Sequence, residues 1–456
     1  MRSSHAADTI VATATAAGRG AIAIVRLSGR DAAAIVRRVS TSFPATARTA
    51  TLTTIHACDA PSQPIDHGLV TWFEGPASYT GEDVVEVAVH GGSLVSALIV
   101  EACVIAGARP ALPGEFTERA VLHGKLDLVQ AEAVADLIDA RSRAAHRAAV
   151  RQLDGSLSRR LTAMRESLLQ VDALLAYDID FPEEDDAPPS RARVLEACDE
   201  ARAQVERLLA TLPAAALGRD GALVVLAGPP NVGKSALLNA LVGESRVIVS
   251  DIPGTTRDAV EVLVDDSPFP LRLVDTAGLR TSGDTLERLG IEVSERYVTQ
   301  AHVVLACAEE EGALMRTVAT VQGMTRGVVI PVCTKADRAE RPFRAGPGAV
   351  PCVSVSAFTG DGLDALRAAL RVAVAQHVAV PDAATPLVTR ARHEAALRRA
   401  ADEIDAFRSA WAEGALPAPV AATHLRAAIT ALESLIGAVD VDDVLERVFR
   451  TFCIGK

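Results

Sequence analysis

The sequence predicts a multidomain protein of mixed α/β and α+β class, and three observations lead to this prediction. Residues 1–120 contain strand-like runs such as Ala21–Val25 and Val84–Val89, interrupted by glycine and proline, which is typical of an α+β domain. Apolar residues then recur at helical spacing in two separate segments. Between those segments, strand-like and helix-like runs alternate, which is the pattern of an α/β domain.

The first helical segment, 121–216, is predicted from apolar residues at spacings of three and four. The residues that begin this pattern are Leu126, Val129, Ala133 and Leu137. The pattern runs to about Tyr177, where the acid-rich run Asp178–Asp186 and the prolines that follow predict a solvated loop. A shorter helix is predicted from there to about Leu212.

The α/β domain is predicted to span 217–379, beginning with the apolar run Ala222–Ala227. Helical periodicity returns in the second helical segment, 380–456. Its apolar positions include Leu425, Ile429, Leu432 and Ile436. Insertions succeed where the two ends of a surface loop lie close together, so we predict one helical domain interrupted by the α/β domain. The two helical pieces should then pack on each other.

The composition excludes a disordered chain and restricts the kinds of partner. Apolar residues make up 49% of the 456 residues, and the formal net charge is −12, so no global positive field attracts nucleic acid or an anionic membrane. Any contact with RNA should be local or shared with a partner. The seven cysteines occur singly, without a zinc-like spacing, and no run has the length of a membrane span. We expect a reduced, cytoplasmic protein without a membrane span.

A nucleotide site is predicted by two motifs in the α/β domain. Gly228–Ser235 fits G-x-x-x-x-G-K-[ST] between a strand-like run and a helical run. In such a loop the backbone N–H groups face the phosphates, Lys234 reaches the β- and γ-phosphates, and Ser235 binds Mg²⁺. Asp275–Gly278 follows another strand-like run, which places an acid near the metal and a glycine N–H near the γ-phosphate. Together the motifs predict a hydrolase of the P-loop class.

The base is predicted to be guanine. Thr334–Asp337 resembles the N/T-K-x-D motif, in which a carboxylate accepts two hydrogens from the guanine edge that adenine cannot offer. Thr334 stands where asparagine is commoner, so we expect a lower affinity, with selectivity retained by Asp337. Ser356-Ala357 resembles the motif that closes over the base.

The sequence lacks the glutamine that orients the attacking water in Ras-type enzymes, because Leu279 follows Gly278. Another group must orient the water and offset the developing charge. Asn231 and the switch-like run Gly254–Asp258 could together hold a monovalent cation beside the β- and γ-phosphates. Asn231 could equally stabilise its loop, and the residues alone leave both interpretations open.

Further motifs lie near the two ends of the chain. They are Asp8–Ala12, Gly18–Gly20, Ser78–Asp83, His90–Gly92, Pro113–Thr117, Gly124–Leu128 and Phe452–Lys456. With the nucleotide motifs, they make the sequence resemble the bacterial and organellar MnmE (TrmE) family of tRNA modification GTPases over essentially its full length. The resemblance implies an N-terminal α+β folate-binding-like domain, a discontinuous α-helical domain and an inserted P-loop (Ras-like) GTPase domain.

The resemblance also implies an activity and partners. Such proteins are potassium-activated GTPases that form GDP and phosphate. They install a (carboxymethyl)aminomethyl-type group at C5 of the wobble uridine of certain tRNAs, using a folate one-carbon donor. The family resemblance implies a homodimer through the N-terminal domains and a heterotetramer-like complex with the flavoprotein MnmG (GidA).

The resemblance assigns roles to particular residues of this chain. A 5-formyl-tetrahydrofolate-type ligand is implied at Arg26, Glu86, Lys125 and Lys456. Potassium is implied at Asn231, Ser250, Ile252 and Thr255, and Mg²⁺ at Ser235 and Thr256. Glu287 is implied in water activation, the alternative being a solvated helix acid. Cys453 is implied in catalysis, the alternative being burial as a small apolar side chain.

The implied GTP site takes residues from each of the nucleotide motifs. It comprises Asn231, Val232, Gly233, Lys234, Ser235, Ser250, Asp251, Ile252, Pro253, Gly254, Thr255, Thr256, Asp275, Thr276, Ala277, Gly278, Thr334, Lys335, Asp337, Ser356 and Ala357.

Two other functions remain open. An assembly factor of the Era or Der type would bind ribosomal RNA, but the sequence has neither a basic C-terminal module nor a second GTPase domain. A folate-dependent one-carbon transferase with a regulatory GTPase is the other.

Overall fold

The computed structural model describes most of the chain in two compact units. The described residues are 8–180, 191–243, 247–248, 261–266, 268–275, 295–338, 352–378, 385–413, 418–437, 448–449 and 452–455. The first unit combines residues from Met1–Ala135, Leu153–Val194 and Ala406–Lys456, and the second combines residues from Asp136–Gln152 and Leu195–Asp405. Each unit is therefore built from separate stretches of sequence.

The first unit contains a six-stranded sheet in the order β3-β4-β5-β2-β1-β6. The strands are β1 (Ile10–Thr13), β2 (Ile22–Ser28), β3 (Ala50–His56), β4 (Pro64–Phe73), β5 (Val84–His90) and β6 (Arg109–Pro110). Neighbours pair antiparallel except for β1 and β6, which are parallel. The predicted strands at Ala21–Val25 and Val84–Val89 are confirmed as parts of β2 and β5.

Three helices accompany this sheet, namely α1 (Ala32–Arg38), α2 (Ser93–Ile105) and α3 (Glu115–Leu122). The helices α1 and α2 cover one face, because Val36 and Ile99 are buried in one cluster with Val25 and Val87 of the central strands. Alternate residues of a strand face the same side, so the valines of β2 and β5 form a continuous apolar surface for these helices.

The helical segments are divided into more helices than predicted. They are α4 (Leu128–Asp139), α5 (Arg143–Leu153), α6 (Ser156–Asp180), α7 (Arg191–Leu209) and α8 (Leu212–Asp220). Gly155 has a φ of +76° and separates α5 from α6, since a left-handed residue ends a helix. The predicted loop at Asp178–Asp186 is wrong at its start, because α6 continues through Asp180. No helix in the part of the chain described could cross a membrane.

The helix α6 packs against a helix from the far end of the chain. The second helical segment contains α12 (Ala391–Glu413) and α13 (Ala418–Ile436). Leu425 and Leu432 of α13 are fully buried, as their spacing predicts. Arg165 of α6 pairs with Glu433 of α13 at 2.6 Å, so segments on both sides of the α/β block meet within the first unit.

The second unit contains a seven-stranded sheet in the order β13-β12-β11-β7-β10-β9-β8. Its strands are β7 (Ala222–Ala227), β8 (Val247–Ile248), β9 (Glu261–Val264), β10 (Leu271–Asp275), β11 (Val303–Ala308), β12 (Val328–Cys333) and β13 (Val353–Ser354). Its helices are α9 (Lys234–Gly243), α10 (Glu311–Gln322) and α11 (Leu363–His377). The strands β7, β10, β11, β12 and β13 are parallel, as expected of an α/β domain.

The second unit extends beyond the predicted α/β boundaries of 217–379. The hydroxyl of Ser142 donates to the carbonyl of Gly218 at 2.8 Å, and Arg390 pairs with Asp136 at 2.6 Å. These contacts join the residue before α5 to α8 and the residue before α12 to α4, and Arg143 at the start of α5 pairs with Asp265, just after β9, at 3.3 Å. Helical periodicity could not reveal this, because it identifies which face of a helix is buried and not what covers it.

Candidate functional site

The phosphate-binding motif forms a loop between a buried strand and a helix. Every residue of β7 is buried, and α9 begins at Lys234. Gly228 has a φ of +150°, and a Cβ at this position would lie 2.1 Å from the carbonyl oxygen of Cys307. Only glycine permits this approach, which brings the loop against the end of β11. The strand–loop–helix context required by the motif is present.

The side chain of Lys234 is folded into this loop. The residue is buried, and its ammonium donates to the carbonyl oxygens of Gly228 at 2.9 Å and Pro229 at 2.7 Å. A buried ammonium needs such acceptors, because desolvation without a partner is costly. The arrangement holds a positive charge at the helix N-terminus, where an anionic phosphate is also favoured by the backbone N–H groups.

The two groups expected to bind Mg²⁺ are in direct contact. The hydroxyl of Ser235 donates to Oδ2 of Asp275, which is buried at the end of β10. Asp275 is aligned with Leu226 of the parallel strand β7, so both ends meet at the same sheet edge. A hydroxyl and a carboxylate are hard oxygen donors, which suits Mg²⁺. The described part of this site therefore fits the metal.

The guanine motif is attached to the phosphate loop by two side chains. Thr334 is buried, and its hydroxyl donates to the carbonyl of Val232 at 2.6 Å. The ammonium of Lys335 donates to the carbonyl of Asn231 at 2.8 Å and pairs with Glu309 at 2.5 Å. The structure therefore brings together two motifs that lie about a hundred residues apart in the sequence.

Asp337 is positioned by the second base motif. The hydroxyl of the fully buried Ser356 donates to Oδ1 of Asp337 at 2.6 Å. This hydrogen bond holds the pKa of Asp337 below its ordinary value. The carboxylate therefore stays ionised and presents acceptor oxygens, which are the groups that the guanine edge requires.

A cavity of about 370 Å³ joins these groups, within the size range of small-ligand pockets. It is lined by Gly233, Ala236, Leu237, Thr334, Lys335, Asp337, Arg338, Val355, Ala357 and Phe358. The cavity therefore extends from the phosphate loop to Asp337. Sequence reasoning missed Glu309 and Phe358, although Phe358 directly follows the Ser356-Ala357 motif.

Asn231 has an unusual backbone conformation. Its φ is +64°, a left-handed value that asparagine tolerates better than most residues, and its side chain is exposed. The left-handed backbone of Asn231 supports the loop-stabilising interpretation, and the exposure of its side chain leaves that side chain accessible to a cation.

The remaining cation and switch positions lie outside the described residues. These are Ser250, Asp251, Ile252, Pro253, Gly254, Thr255, Thr256, Thr276, Ala277, Gly278 and Glu287.

Two of the predicted folate residues are in contact across the N-terminal sheet. Arg26 on β2 is aligned with Glu86 on β5, and its Nη2 donates to Oε1 of Glu86 at 2.7 Å. The guanidinium also lies 5.6 Å from the ring centre of Tyr79 and 5.9 Å from that of Phe116. Both aromatic residues lie in motifs identified from sequence, Ser78–Asp83 and Pro113–Thr117, but the sequence assigned them no role.

The third predicted folate residue, Lys125, reaches the turn that contains Tyr79. Its ammonium donates to the carbonyl of Pro76 at 3.0 Å, and its side chain passes Gly81. Lys125 therefore contacts the turn that carries Tyr79, the aromatic partner of Arg26. Lys456 lies outside the described residues.

The described end of the chain lies against β1. Cys453 is exposed, and its carbonyl accepts the N–H of Gly114 at 3.4 Å. A Cβ on Gly455 would meet the carbonyl oxygen of Thr13 at 2.3 Å, next to Ala12, which is aligned with Arg26. The alternative in which Cys453 is buried as an apolar side chain is therefore wrong, since contacts of its backbone hold the segment and leave the thiol outside.

A network of buried charges supports the turn that carries Tyr79. Arg119 pairs with Glu82 and with Glu115, both at 3.0 Å, and Arg109 pairs with Glu115 at 2.6 Å. Burial would raise the pKa of Glu115, but the hydrogen bonds from Arg109, Leu112 and Arg119 outweigh it and keep the pKa below its ordinary value. Glu82 also accepts the hydroxyl of Ser28 at 2.7 Å.

Comparisons with known proteins agree over nearly the whole chain. Residues 9–125 match the family model described as the GTP-binding protein TrmE N-terminus, and residues 128–453 match that of the MnmE helical domain. A tRNA modification GTPase MnmE of Azoarcus sp. (strain BH72) is 41% identical over 453 residues, 98% of each chain. One from Neisseria meningitidis serogroup B is 42% identical, covering 98% of this chain and 99% of its own. Among solved structures, the G domain of the T. maritima FeoB iron transporter is 27% identical with a TM-score of 0.26, covering 33% of this chain and 96% of its own.

Proposed function

The chain belongs to the MnmE family of tRNA modification GTPases, and from that premise we propose how it acts. It is a GTP hydrolase of the P-loop class. We propose that potassium activates the hydrolysis and that the reaction serves modification of C5 of the wobble uridine in tRNA. The observation that carries the binding of GTP is one cavity lined by Gly233 of the phosphate loop and by Lys335 and Asp337 of the guanine motif.

The phosphate end of GTP would lie in the loop that begins at Gly228. There Lys234 would exchange its loop carbonyls for the β- and γ-phosphate oxygens, which are better partners for an ammonium. Ser235 and Asp275 would hold Mg²⁺, directly or through water, which supplies neutralisation of the developing phosphate charge. Water attacks the γ-phosphorus, and the bond to the β–γ bridging oxygen breaks to give GDP and phosphate.

The base end of GTP would be read by Asp337. Its carboxylate accepts from the N1–H and the 2-amino group of guanine, with Ser356 holding one of its oxygens. Thr334 and Lys335, in the same motif as Asp337, are hydrogen-bonded to the phosphate loop. Because the two ends are joined by direct hydrogen bonds, base recognition and phosphate positioning are mechanically coupled.

Potassium and water activation complete the proposal. The exposed Asn231 would hold potassium together with Ser250, Ile252 and Thr255, while Thr256 would join Ser235 at Mg²⁺. Glu287 would orient the attacking water in place of the missing glutamine. A cation beside the β- and γ-phosphates would offset the charge that an arginine finger offsets in other GTPases.

We assign the folate donor to the first unit. Arg26, Glu86 and Lys125, with Lys456, would hold a 5-formyl-tetrahydrofolate-type ligand, and the rings of Tyr79 and Phe116 hold the guanidinium of Arg26 in place for it. Cys453 is exposed beside β1 and would be available for chemistry there. In the proposed division of the sequence, 1–120 is the folate-binding and dimerisation domain and 217–379 is the inserted GTPase domain. The ranges 121–216 and 380–456 are the two parts of the helical domain.

We further propose a homodimer through the N-terminal domains. Leu52 of β3 and Leu69 of β4 are cross-strand partners, and they are 72% and 44% exposed. A second copy of the chain would remove this apolar pair from water. The flavoprotein MnmG would join in a heterotetramer-like complex, and tRNA would be bound with it, as the net charge of −12 favours a shared RNA surface.

The decisive experiment compares GTP turnover in potassium chloride and in sodium chloride at equal ionic strength. We expect faster turnover in potassium, and loss of this difference in Asn231→Ala. Asn239→Ala, an exposed asparagine on α9, is the matched control and should keep the difference. Equal rates in both salts would contradict potassium activation and make Asn231 a loop residue only.

A further inference from the structure

Phe358 is a large apolar side chain placed at the nucleotide cavity. It is 92% exposed, the highest value among the large exposed apolar side chains of the described residues. An isolated exposed apolar residue needs no explanation by itself. Phe358, however, lines the same cavity as Asp337 and Lys335. Phe358 and the carboxylate that would bind the base therefore belong to the lining of one cavity.

The backbone of Phe358 is attached to the same hydroxyl that positions Asp337. Oγ of Ser356 donates to Asp337 and accepts the backbone N–H groups of Phe358 at 3.3 Å and Thr359 at 3.2 Å. The turn is closed by a hydrogen bond from Gly360 N–H to the carbonyl of Ser356 at 3.0 Å. A hydroxyl can make these three bonds at once, with one donor and two acceptor positions. The Ser356 hydroxyl therefore fixes the position of the Asp337 carboxylate relative to the backbone of Phe358.

The alkyl chain of Lys335 provides a second fixed surface of the cavity. Its ammonium is held by the carbonyl of Asn231 and by Glu309. Its stem runs past Gly233, where a Cβ would be 3.7 Å from Cε and 3.9 Å from Cγ. Because both ends of the lysine are held, its stem is a preformed apolar wall for a planar guest.

We propose that the ring of Phe358 stacks on the guanine base of the bound nucleotide, while Asp337 reads the edge of the same base. This inference rests on the proposed binding of GTP in this cavity. Phe358 would supply affinity that does not depend on the exocyclic groups of the purine, since every purine offers a π-face. Asp337 would supply the selectivity.

The test separates ring stacking from edge recognition with two diphosphates. GDP and inosine diphosphate differ only by the 2-amino group, which Asp337 would accept. Isothermal titration of Phe358→Ala should show roughly ten-fold weaker binding of both nucleotides, by the same factor, as expected for one lost base–aromatic stack. Asp337→Asn should weaken GDP more than inosine diphosphate. Val372→Ala, which shortens an exposed side chain of α11 outside the cavity, should bind both as the parent does.

A second variant gives a direct signal from the proposed contact. Phe358→Trp should bind GDP as tightly as the parent, and its fluorescence should change on binding in a difference spectrum against the parent. If Phe358→Ala bound GDP as tightly as the parent, or if the fluorescence of Phe358→Trp did not change when GDP was added, the stacking proposal would be overturned. The proposed function would still stand. Failure of the parent to bind GDP would instead overturn the proposed function together with this inference.

Discussion

The hydroxyl of Thr334 donates a 2.6 Å hydrogen bond to the carbonyl oxygen of Val232. The first residue belongs to the guanine motif and the second to the phosphate loop, and Thr334 is 4% exposed. A buried hydroxyl with a short bond of this kind is a fixed link between the two ends of the nucleotide site. Threonine therefore links the two motifs from a position where asparagine is commoner.

Replacing Thr334 should weaken nucleotide binding through this link. Thr334→Val keeps the shape but removes the donor, leaving the Val232 carbonyl without this partner, which costs about 1–3 kcal/mol when the group is buried. We expect GDP affinity to fall several-fold in calorimetry. Thr334→Ser retains the hydroxyl and is the control. Equal affinities for the valine and serine variants would show that the bond does not organise the site.

Asp337→Asn should lower selectivity for guanine. Two charge-assisted hydrogen bonds to the base edge are lost, and the amide offers a donor where an acceptor is needed, so GDP affinity should fall by roughly 100-fold. Competition by ATP and by xanthosine triphosphate measures the selectivity. The exposed Asp364 at the start of α11 is the control, as Asp364→Asn. Undiminished discrimination in Asp337→Asn would contradict the assignment of the base motif.

Lys125→Met should weaken folate binding without affecting the nucleotide site. The methionine keeps much of the stem but removes the ammonium that would pair with a folate carboxylate, so affinity for 5-formyl-tetrahydrofolate should fall about ten-fold. Fluorescence titrations with the folate and with GDP give the two affinities. Arg30→Ala removes an exposed charge in the same unit and should change neither. Identical folate titrations for Lys125→Met and the parent would exclude Lys125 from the site.

Glu115 should make the first unit sensitive to acid. Its pKa lies below the ordinary value of 4.5, so its stabilising contribution is present above pH 4.5 and is lost as the pH falls through the lower folded value. Glu115→Gln should reduce the free energy of unfolding by about 1–3 kcal/mol at pH 7 and flatten this acid dependence. Its loss of charge leaves Arg109 and Arg119 with weaker partners.

The free energy of unfolding is measured by urea titrations at pH 7 and pH 4, in which tryptophan fluorescence monitors unfolding. The only two tryptophans, Trp72 and Trp411, both belong to the first unit. Glu74→Gln removes an exposed carboxyl and is the control. If Glu115→Gln and Glu74→Gln show the same dependence on pH, the buried network does not set the acid stability.

The features predicted correctly from sequence are those written in short contiguous stretches. Periodicity identified β2, β5, β7 and α13, and the order of glycine, lysine and serine identified the phosphate loop before α9. Backbone geometry over a few residues depends on those residues and their neighbours, so a local pattern is sufficient. The same patterns could not show that α6 extends through Asp180, or that α5 packs with the α/β block.

By itself the sequence determined the types of element, the motifs and the chemistry that each motif can perform. Only the tertiary structure decided which of these residues meet. Thr334 lies 102 positions from Val232, and Arg26 lies 60 from Glu86. The tertiary structure also places Phe358 in the lining of the cavity and leaves Cys453 exposed. The physical reason is that such contacts depend on sheet order and register, which are set by the packing of the whole unit and not by the spacing of residues along the chain.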